Sequence, residues 1–334
     1  MTEQKTVAFH TLGCKVNQYD TQAMRERFEQ AGYRTAEFDG QADIYVVNTC
    51  TVTGTGDKKS MQIIRRCHRQ NPQAQIVVTG CLAQRAADEL TLPGVRLVLG
   101  TQRRGEVVEL LEQAMKQDCA LVAVETLRKA PFEHLTVHAH EGHTRATMKI
   151  QEGCDRWCTY CIIPYLRGKY RSVPMEQLVK EAEELAEKGV KELILVAQET
   201  TLYGKDLYGE KKLPELLRRL AAVSGIQWIR LQYCYPEEIT DELIETIKTE
   251  EKVCNYLDIP IQHASDAVLK RMGRRTNNKE IRELIAKLRR EIPDIALRTT
   301  LISGFPGETE EDHEILMQFV DDMEFDRLGV FAYS

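Results

Sequence analysis

The sequence holds no apolar run near the ~18 residues of a membrane span. Met1-Thr2-Glu3-Gln4-Lys5 leads straight into a strand-like run, with no secretory hydrophobic segment. No membrane is implied, and a cytoplasmic protein is expected. Low-complexity tracts and short internal repeats are also missing, and only 20 Gly and 10 Pro punctuate 334 residues, which excludes a disordered or fibrous chain. A strong charge of one sign is lacking too. The formal net charge is −6, and residues 1–144 balance 17 basic against 17 acidic side chains, so the whole excess lies in the second half. That balance argues against wholesale coating of nucleic acid and does not name a partner. What remains is a globular composition, 43% hydrophobic and 29% charged, long enough for one large α/β domain or two ordinary ones.

Short Val-, Ile- and Leu-rich runs at Thr6–His10, Ile44–Asn48, Ile76–Thr79, Val95–Leu99 and Leu121–Val124 read as strands. Gln18–Ala31, Lys58–Arg69 and Gly105–Gln117 read as helices between them. This alternation predicts a parallel sheet with helices on both faces. Residues 126–144 lose periodicity, contain Pro131 and four His, and read as a linker. The alternation then restarts, with strands at Ala146–Ile150, Glu192–Ala197, Trp228–Tyr233, Tyr256–Ile261, Ala296–Ile302 and Leu328–Tyr333. Helices are expected at Met175–Lys188, Pro214–Val223, Asp241–Lys248, Lys279–Arg290 and Glu310–Met323. Six parallel strands with five crossovers fit a partial (β/α)6 TIM-like barrel, short of the usual eight units. The chain stops on the sixth strand with no helix to cover it. Parallel sheets bury both faces, so a truncated chain or fragment is expected.

Ten cysteines need a role. A reducing cytosol argues against a disulfide framework, and a chain of this length needs none. Cys154-Asp-Arg-Trp-Cys158-Thr-Tyr-Cys161 is a CX3CX2C triplet in the loop after the first strand of the second half. Three thiolates so close can wrap one corner of an iron–sulfur cube and leave the fourth iron open to a chelating ligand. The alternative is a zinc knuckle with His140 or His143 as fourth ligand, although zinc motifs mostly use CX2C pairs. Cys14, Cys50 and Cys81 make a second set, each just past the C-terminal end of a predicted parallel strand, in His10-Thr-Leu-Gly-Cys14, Asn48-Thr-Cys50 and Thr79-Gly-Cys81. Ligand sites of open α/β sheets lie outside those ends, so three thiolates can converge there without a local motif. Gly13 and Gly80 allow close backbone approach. Unrelated loop or buried cysteines are the plainer alternative. Cys67, Cys119, Cys234 and Cys254 read as structural.

Other motifs close the barrel strands, where barrel enzymes keep their sites. Ala197-Gln198-Glu199-Thr200 ends the second strand, and Glu199 can accept from an ammonium group or sit in an ordinary solvated loop. Gly304-Phe-Pro-Gly307-Glu308-Thr309 ends the fifth, with Thr309 and Asp312 suited to cap the next helix. Pro260-Ile-Gln262-His263 ends the fourth; Gln262 can line the same pocket, and His263 fits a structural histidine equally well. Arg167-Gly-Lys169-Tyr-Arg171 and Lys270-Arg271-Met-Gly-Arg274-Arg275 read as solvated surface or as phosphate-holding patches.

The CX3CX2C spacing, with Tyr160 just before the last Cys, resembles the signature of the radical S-adenosylmethionine (SAM) superfamily. With Cys14, Cys50 and Cys81 added, essentially the whole chain resembles the radical SAM methylthiotransferase family. That resemblance implies a flavodoxin-like N-terminal domain over residues 1–125, a linker over 126–144 and a radical SAM core over 145–334, without the family's substrate-gripping TRAM domain. It implies an enzyme with two [4Fe–4S] clusters and SAM as cofactors. Cys154, Cys158 and Cys161 would hold the SAM-binding cluster, and Cys14, Cys50 and Cys81 the auxiliary one. Gln198 and Glu199 stand in the place of the Gly-Gly-Glu segment that meets the SAM amino group, without its two glycines. Together with Gln262 and Gly304 they form the candidate SAM pocket. The implied chemistry is cleavage of SAM to a 5′-deoxyadenosyl radical, removal of hydrogen from an unactivated C–H carbon, and insertion of a methylthio group there. No general acid or base is evident, and none is obligatory.

Two branches of the family are resembled at once. Thr11-Leu-Gly-Cys14-Lys-Val-Asn-Gln18, Asn48-Thr-Cys50-Thr-Val-Thr53 and Thr79-Gly-Cys81 are similar to the branch that modifies carbon 2 of N6-threonylcarbamoyladenosine at position 37 of tRNA. Arg167-Gly-Lys-Tyr-Arg171-Ser172, Ala197-Gln-Glu-Thr200, Tyr233-Cys-Tyr-Pro236 and Phe325-Asp-Arg-Leu-Gly-Val-Phe331 look more like the branch that modifies an aspartate of a ribosomal small-subunit protein. The join falls near Tyr165–Arg167. Because all the N-terminal motifs agree, tRNA is the favoured partner, with the ribosomal protein as the alternative and an inactive cluster-binding fragment as a third reading. A flavodoxin-type electron donor and a sulfur donor complete the implied partners.

Overall fold

A computed structural model of the chain describes residues 4–127, 133, 135–137 and 144–334. Pro131, His140 and His143 of the expected linker lie outside the described residues. Two compact units emerge, one of residues 1–139 with 165–169, the other of residues 140–164 with 170–334.

Unit 1 runs β1 (Thr6–Thr11), α1 (Lys15–Gln30), β2 (Arg34–Ala36), β3 (Ile44–Thr49), α2 (Gly54–Gln70), β4 (Gln75–Gly80), α3 (Cys81–Arg85), β5 (Val95–Leu99), α4 (Val107–Ala114) and β6 (Leu121–Ala123). Its strands pair in the order β2-β1-β3-β4-β5-β6, all parallel. Successive side chains of a strand face opposite ways, and here both sets are apolar. Val7, Phe9, Ile44, Val46, Val77 and Leu97 pack with Met24 and Phe28 of α1 and Val107 and Leu111 of α4. Tyr45, Val47, Ile76, Val78 and Val98 pack with Ile64 and Cys67 of α2 and Leu82 of α3. Burying each such Val, Leu or Ile contributes about 1.5–3 kcal/mol, so the sheet is held from both faces. The alternation predicted this doubly wound sheet. It did not reveal β2, a three-residue edge strand too short to show a period.

Part of the expected linker is packed onto unit 1. Leu135 and Val137 bury against Tyr19 and Ala23, and Glu133 pairs with Arg104 at 3.1 Å.

Unit 2 contains β7 (Arg145–Lys149), β8 (Gln151–Glu152), the start of α5 (Ile163–Arg167), β9 (Arg171–Ser172), α6 (Met175–Glu187), β10 (Glu192–Val196), α7 (Lys205–Tyr208) and α8 (Leu213–Ala221). It continues with β11 (Trp228–Leu231), α9 (Asp241–Thr249), β12 (Tyr256–Gln262), α10 (Asp266–Arg271), α11 (Asn278–Glu291), β13 (Ala296–Ser303), α12 (Glu310–Met323) and β14 (Arg327–Ala332). β7, β10 and β11 form one parallel sheet, and β12, β13 and β14 another. A parallel bridge, Ile229–Val253, and the Cys234 N–H bond to Asp258 O at 2.8 Å join the two at the β11–β12 seam. The six strands in chain order make the expected partial barrel. The antiparallel pair β8–β9 was not expected, since two residues per strand carry no pattern. At the start of α12, Thr309 and Asp312 form the capping box that their spacing suggested. No helix among the described residues is long and apolar enough to cross a membrane.

Candidate functional site

In unit 1 the β1–β3 register ends at Thr11–Asn48 and the β3–β4 register at Thr49–Gly80, so three strands finish level. The sheet order reverses between β1 and β3, and open sheets bind ligands at such a switch point. Cys14 and Cys50 follow the two strands that flank it, and Cys81 follows β4. Gly13 (φ 100°) lies against Cys50: a Cβ there would stand 3.0 Å from both Cys50 Cβ and Sγ. Gly80 (φ 94°) is just as constrained, since a Cβ would fall on Asn48 Oδ1 and the Thr49 backbone. The Asn17 amide donates to Leu12 O at 2.8 Å and Thr49 O at 3.0 Å, tying the loops that carry Cys14 and Cys50. Cys14 is exposed, Cys50 half-buried and Cys81 buried. Burial pushes the Cys50 thiol up, and the nearby sulfurs of Cys81 and Cys14 add to the rise. Of the remaining cysteines, Cys67 and Cys234 are buried and Cys254 half-buried, whereas Cys119 is exposed and does not serve as a core residue.

In unit 2 the CX3CX2C loop folds so that Cys154 and Cys158 are buried and Cys161 half-buried. The Cys161 N–H bonds to Cys158 O at 2.9 Å, and the Thr159 N–H to Met272 O at 3.0 Å. Burial pushes the Cys154 thiol to about 12 and Cys161 to about 11, so both are neutral thiols at pH 7 until a metal displaces the proton. Tyr235 lies over this loop, its hydroxyl 3.7 Å from Cys158 Sγ. The guanidinium groups of Arg156 and Arg274 stack on its ring at 5.1 and 4.4 Å.

Beside Cys154 opens a cavity of about 290 Å³ whose lining includes Arg156, Tyr170, Glu199, Glu238 and Arg275. Glu199 is fully buried. Its Oε1 accepts the Thr201 N–H at 3.1 Å, while Oε2 faces Arg156 Nε at 3.8 Å and has no hydrogen-bond partner. Burial raises its carboxyl to about 8. Arg156 Nε and Nη1 are likewise buried without a hydrogen bond, although the side chain pairs with Glu237 at 3.5 Å and with Glu238. A buried carboxyl oxygen and two guanidinium nitrogens without hydrogen bonds in one cavity suit a ligand with both an ammonium and a carboxylate group.

None of the other expected pocket residues lines this cavity. Gln198 accepts the Gly153 N–H at 2.7 Å and so anchors the start of the cysteine loop. Gln262 and Gly304 are absent from the cavity lining. Gln262 (φ 77°) ends β12 beyond a register shift at Pro260, and Tyr233 (φ 62°) follows β11. Bulky residues in this left-handed region cost about 1–3 kcal/mol each, and such strain clusters at functional sites. Gly304 and Phe305 donate to Glu308 Oε2 at 2.7 and 2.9 Å, closing their own loop. His263 takes the structural role: its Nδ1 accepts the Ser265 N–H at 3.0 Å, and Nε2 lies 3.4 Å from Glu308. The basic stretches are not simply surface. Arg274 is buried and donates to Pro260 O at 3.0 Å, and Arg167 is buried within unit 1. Arg156, Tyr235 and Glu238 were given no site role by the sequence reading, although Arg156 lies inside the CX3CX2C motif and Tyr235 inside Tyr233-Cys-Tyr-Pro236.

Among the described residues no three His, Cys, Asp or Glu side chains close round one point as ligands of a single ion do. Each cysteine of an iron–sulfur cube binds its own iron, so that group does not need its thiols to close round one point.

A model of the radical SAM superfamily matches residues 148–320, and one of the uncharacterized protein family UPF0004 matches residues 6–100. The ribosomal protein uS12 methylthiotransferase RimO of Lachnoclostridium phytofermentans is 52% identical, over 98% of this chain and 76% of that protein. The chain belongs to the radical SAM methylthiotransferase family. RimO of Desulfitobacterium hafniense is 46% identical over the full chain and 76% of its own length. The threonylcarbamoyladenosine tRNA methylthiotransferase MtaB of Bacillus subtilis is 44% identical over 98% of this chain and 73% of its own. Among solved structures, the radical SAM methyltransferase TsrM from Kitasatospora setae superposes with a TM-score of 0.68 at 15% identity, covering 99% of this chain and 75% of that one. The radical SAM enzyme OxsB gives 0.60 at 14% identity, covering 95% and 52%. These two share the fold. As a methylthiotransferase of this family the chain is an enzyme, and the family implies SAM and a [4Fe–4S] cluster.

Proposed function

We propose that this methylthiotransferase acts on ribosomal protein uS12, at an aspartate side chain, with Cys154, Cys158 and Cys161 holding the SAM-binding cluster and Cys14, Cys50 and Cys81 an auxiliary one. The observation that carries the chemistry is the cavity bordered at once by the Cys154 thiol and by Glu199 and Arg156 atoms without hydrogen bonds. When bound, the cluster and SAM supply one-electron chemistry able to open an unactivated C–H bond. The chain's residues bind and orient. With SAM bound, Glu199 Oε2 would accept from its ammonium and Arg156 would meet its carboxylate, while Gln198 holds the cysteine loop in register with β10 through Gly153. The Tyr235 hydroxyl, 3.7 Å from Cys158 Sγ, is placed to donate to a cluster-bound thiolate.

The substrate reading is supported by the relatives: RimO proteins reach 52% and 46% identity, against 44% for the MtaB protein. The acidic excess of residues 145–334 suits a protein substrate better than a phosphate backbone. The N-terminal motifs point to tRNA, which is the second reading. The test is product mass spectrometry after expression in cells lacking both methylthiotransferases, with uS12 peptides and tRNA nucleosides from one culture. A methylthio mass gain on an aspartyl peptide of uS12 is expected. The gain on threonylcarbamoyladenosine instead would make tRNA the substrate, and no gain on either would overturn both readings.

A further inference from the structure

Arg167 is a buried cation that the chemistry above does not use. Arg167 is 1% exposed, and its segment is part of unit 1, where Leu166 O accepts from Thr101 Oγ1 at 2.7 Å. Its Nη1 donates to Asp20 Oδ2 at 2.8 Å, its Nη2 donates to Asn17 Oδ1 at 2.6 Å, and that same Nη2 lies 3.6 Å from Cys81 Sγ. Asp20 is shared, because Arg104 pairs with the same carboxylate. Arg104 also pairs with Glu133, and the Nη2 edge of Arg167 faces sulfur. Burying an arginine is costly unless the site uses its charge and its donors. Asn17 extends the network, since its amide holds the Leu12 and Thr49 carbonyls of the loops that carry Cys14 and Cys50. A single hydrogen-bonded assembly therefore reaches all three cysteine-bearing segments.

We propose that Arg167 is a positioning residue of the auxiliary site: it donates an N–H···S hydrogen bond to Cys81 and sets a buried positive charge beside the cluster. Hydrogen bonds to ligand sulfur and nearby charge both set the reduction potential of an iron–sulfur centre. Arg167 raises that potential by stabilising the reduced, more negative state. The inference rests on the assignment of an auxiliary cluster to Cys14, Cys50 and Cys81.

The experiment uses the full chain, reconstituted anaerobically with iron and sulfide, carrying Cys154→Ala, Cys158→Ala and Cys161→Ala so that only the auxiliary centre reports. Iron content and a redox titration followed by electron paramagnetic resonance are measured with Arg167, Arg167→Lys and Arg167→Met. The midpoint potential is expected to move negative in Arg167→Met and less far in Arg167→Lys, which keeps the charge but cannot span Asp20, Asn17 and sulfur together. A cluster-loaded Arg167→Met chain that titrates at the unsubstituted potential overturns the inference. If Arg167→Met fails to fold by circular dichroism, Arg167→Lys decides: a lowered potential supports the assignment and an unmoved one overturns it. Absence of iron in the parent triple-alanine chain overturns the auxiliary assignment itself, and this inference with it. As a control for general disturbance, Arg167→Met in a Cys14→Ala background leaves the potential of the SAM-binding cluster unmoved; a shift there also overturns the inference.

Discussion

Glu199 shows how much of the site's chemistry one buried side chain can hold. Its carboxyl titrates near 8 in the folded chain against 4.5 ordinarily, with burial as the leading cause. Between those values the unfolded chain has released a proton that the folded chain keeps, so the unliganded protein loses stability as pH rises through this window. Glu199→Gln should flatten the dependence and add roughly 2–4 kcal/mol at pH 8, read from urea unfolding at pH 5 and pH 8. Ligand binding runs the other way, because an ammonium group wants the carboxylate. SAM affinity of the native chain should rise between pH 6 and pH 7.5, where the ligand's α-amino group largely keeps its proton, and Glu199→Gln should weaken SAM binding by roughly 10- to 100-fold at pH 7.5, measured by equilibrium dialysis. A pH-independent affinity would show that SAM does not meet Glu199. The place of Glu199 at a strand end was legible in Ala197-Gln-Glu-Thr200. Its burial was not, because a polar tetrapeptide reads as a solvated loop, and what covers it comes from Arg156, Thr201 and Glu238, distant or unremarkable in sequence.

At the scale of elements, the decisive features are junctions. Each of β1, β3 and β4 runs into a cysteine, and the β4–α3 junction turns through Gly80 at φ 94° with no room for a side chain. Gly80→Ala should destabilise the chain by about 2 kcal/mol or more and cost the auxiliary iron, while SAM cleavage persists. Iron analysis beside a 5′-deoxyadenosine assay checks this; full iron in the variant would show that the junction does not shape the site. Thr309→Ala, which opens the capping box of α12 without removing a cysteine, should cost only about 1 kcal/mol and leave the iron content unchanged. Strands with a clear two-residue alternation or a continuous apolar run announced themselves. β2, β8 and β9 did not, because two or three residues cannot display a period, and they exist only through the partners they pair with.

For the molecule as a whole, two cysteine sets predict two separable functions. Cys14→Ala should lose about half the iron yet still cleave SAM, whereas Cys158→Ala should abolish cleavage and keep the other half. Anaerobic assays of 5′-deoxyadenosine beside iron and sulfide analysis decide it, and normal cleavage by both variants would refute this division of labour. The cysteine spacings, the strand–helix alternation and the family were determined by the sequence alone, because local covalent spacing and apolar periodicity are written directly in residue order. The tertiary structure alone decided that Arg167 and Arg274, which read as surface charge, are buried against cysteine loops. It also decided that Leu135 and Val137 are core instead of linker, and that Gln198 anchors a loop while Glu199 faces the cavity. Burial is a property of what arrives from elsewhere in the chain, and no short stretch of sequence encodes its own surroundings.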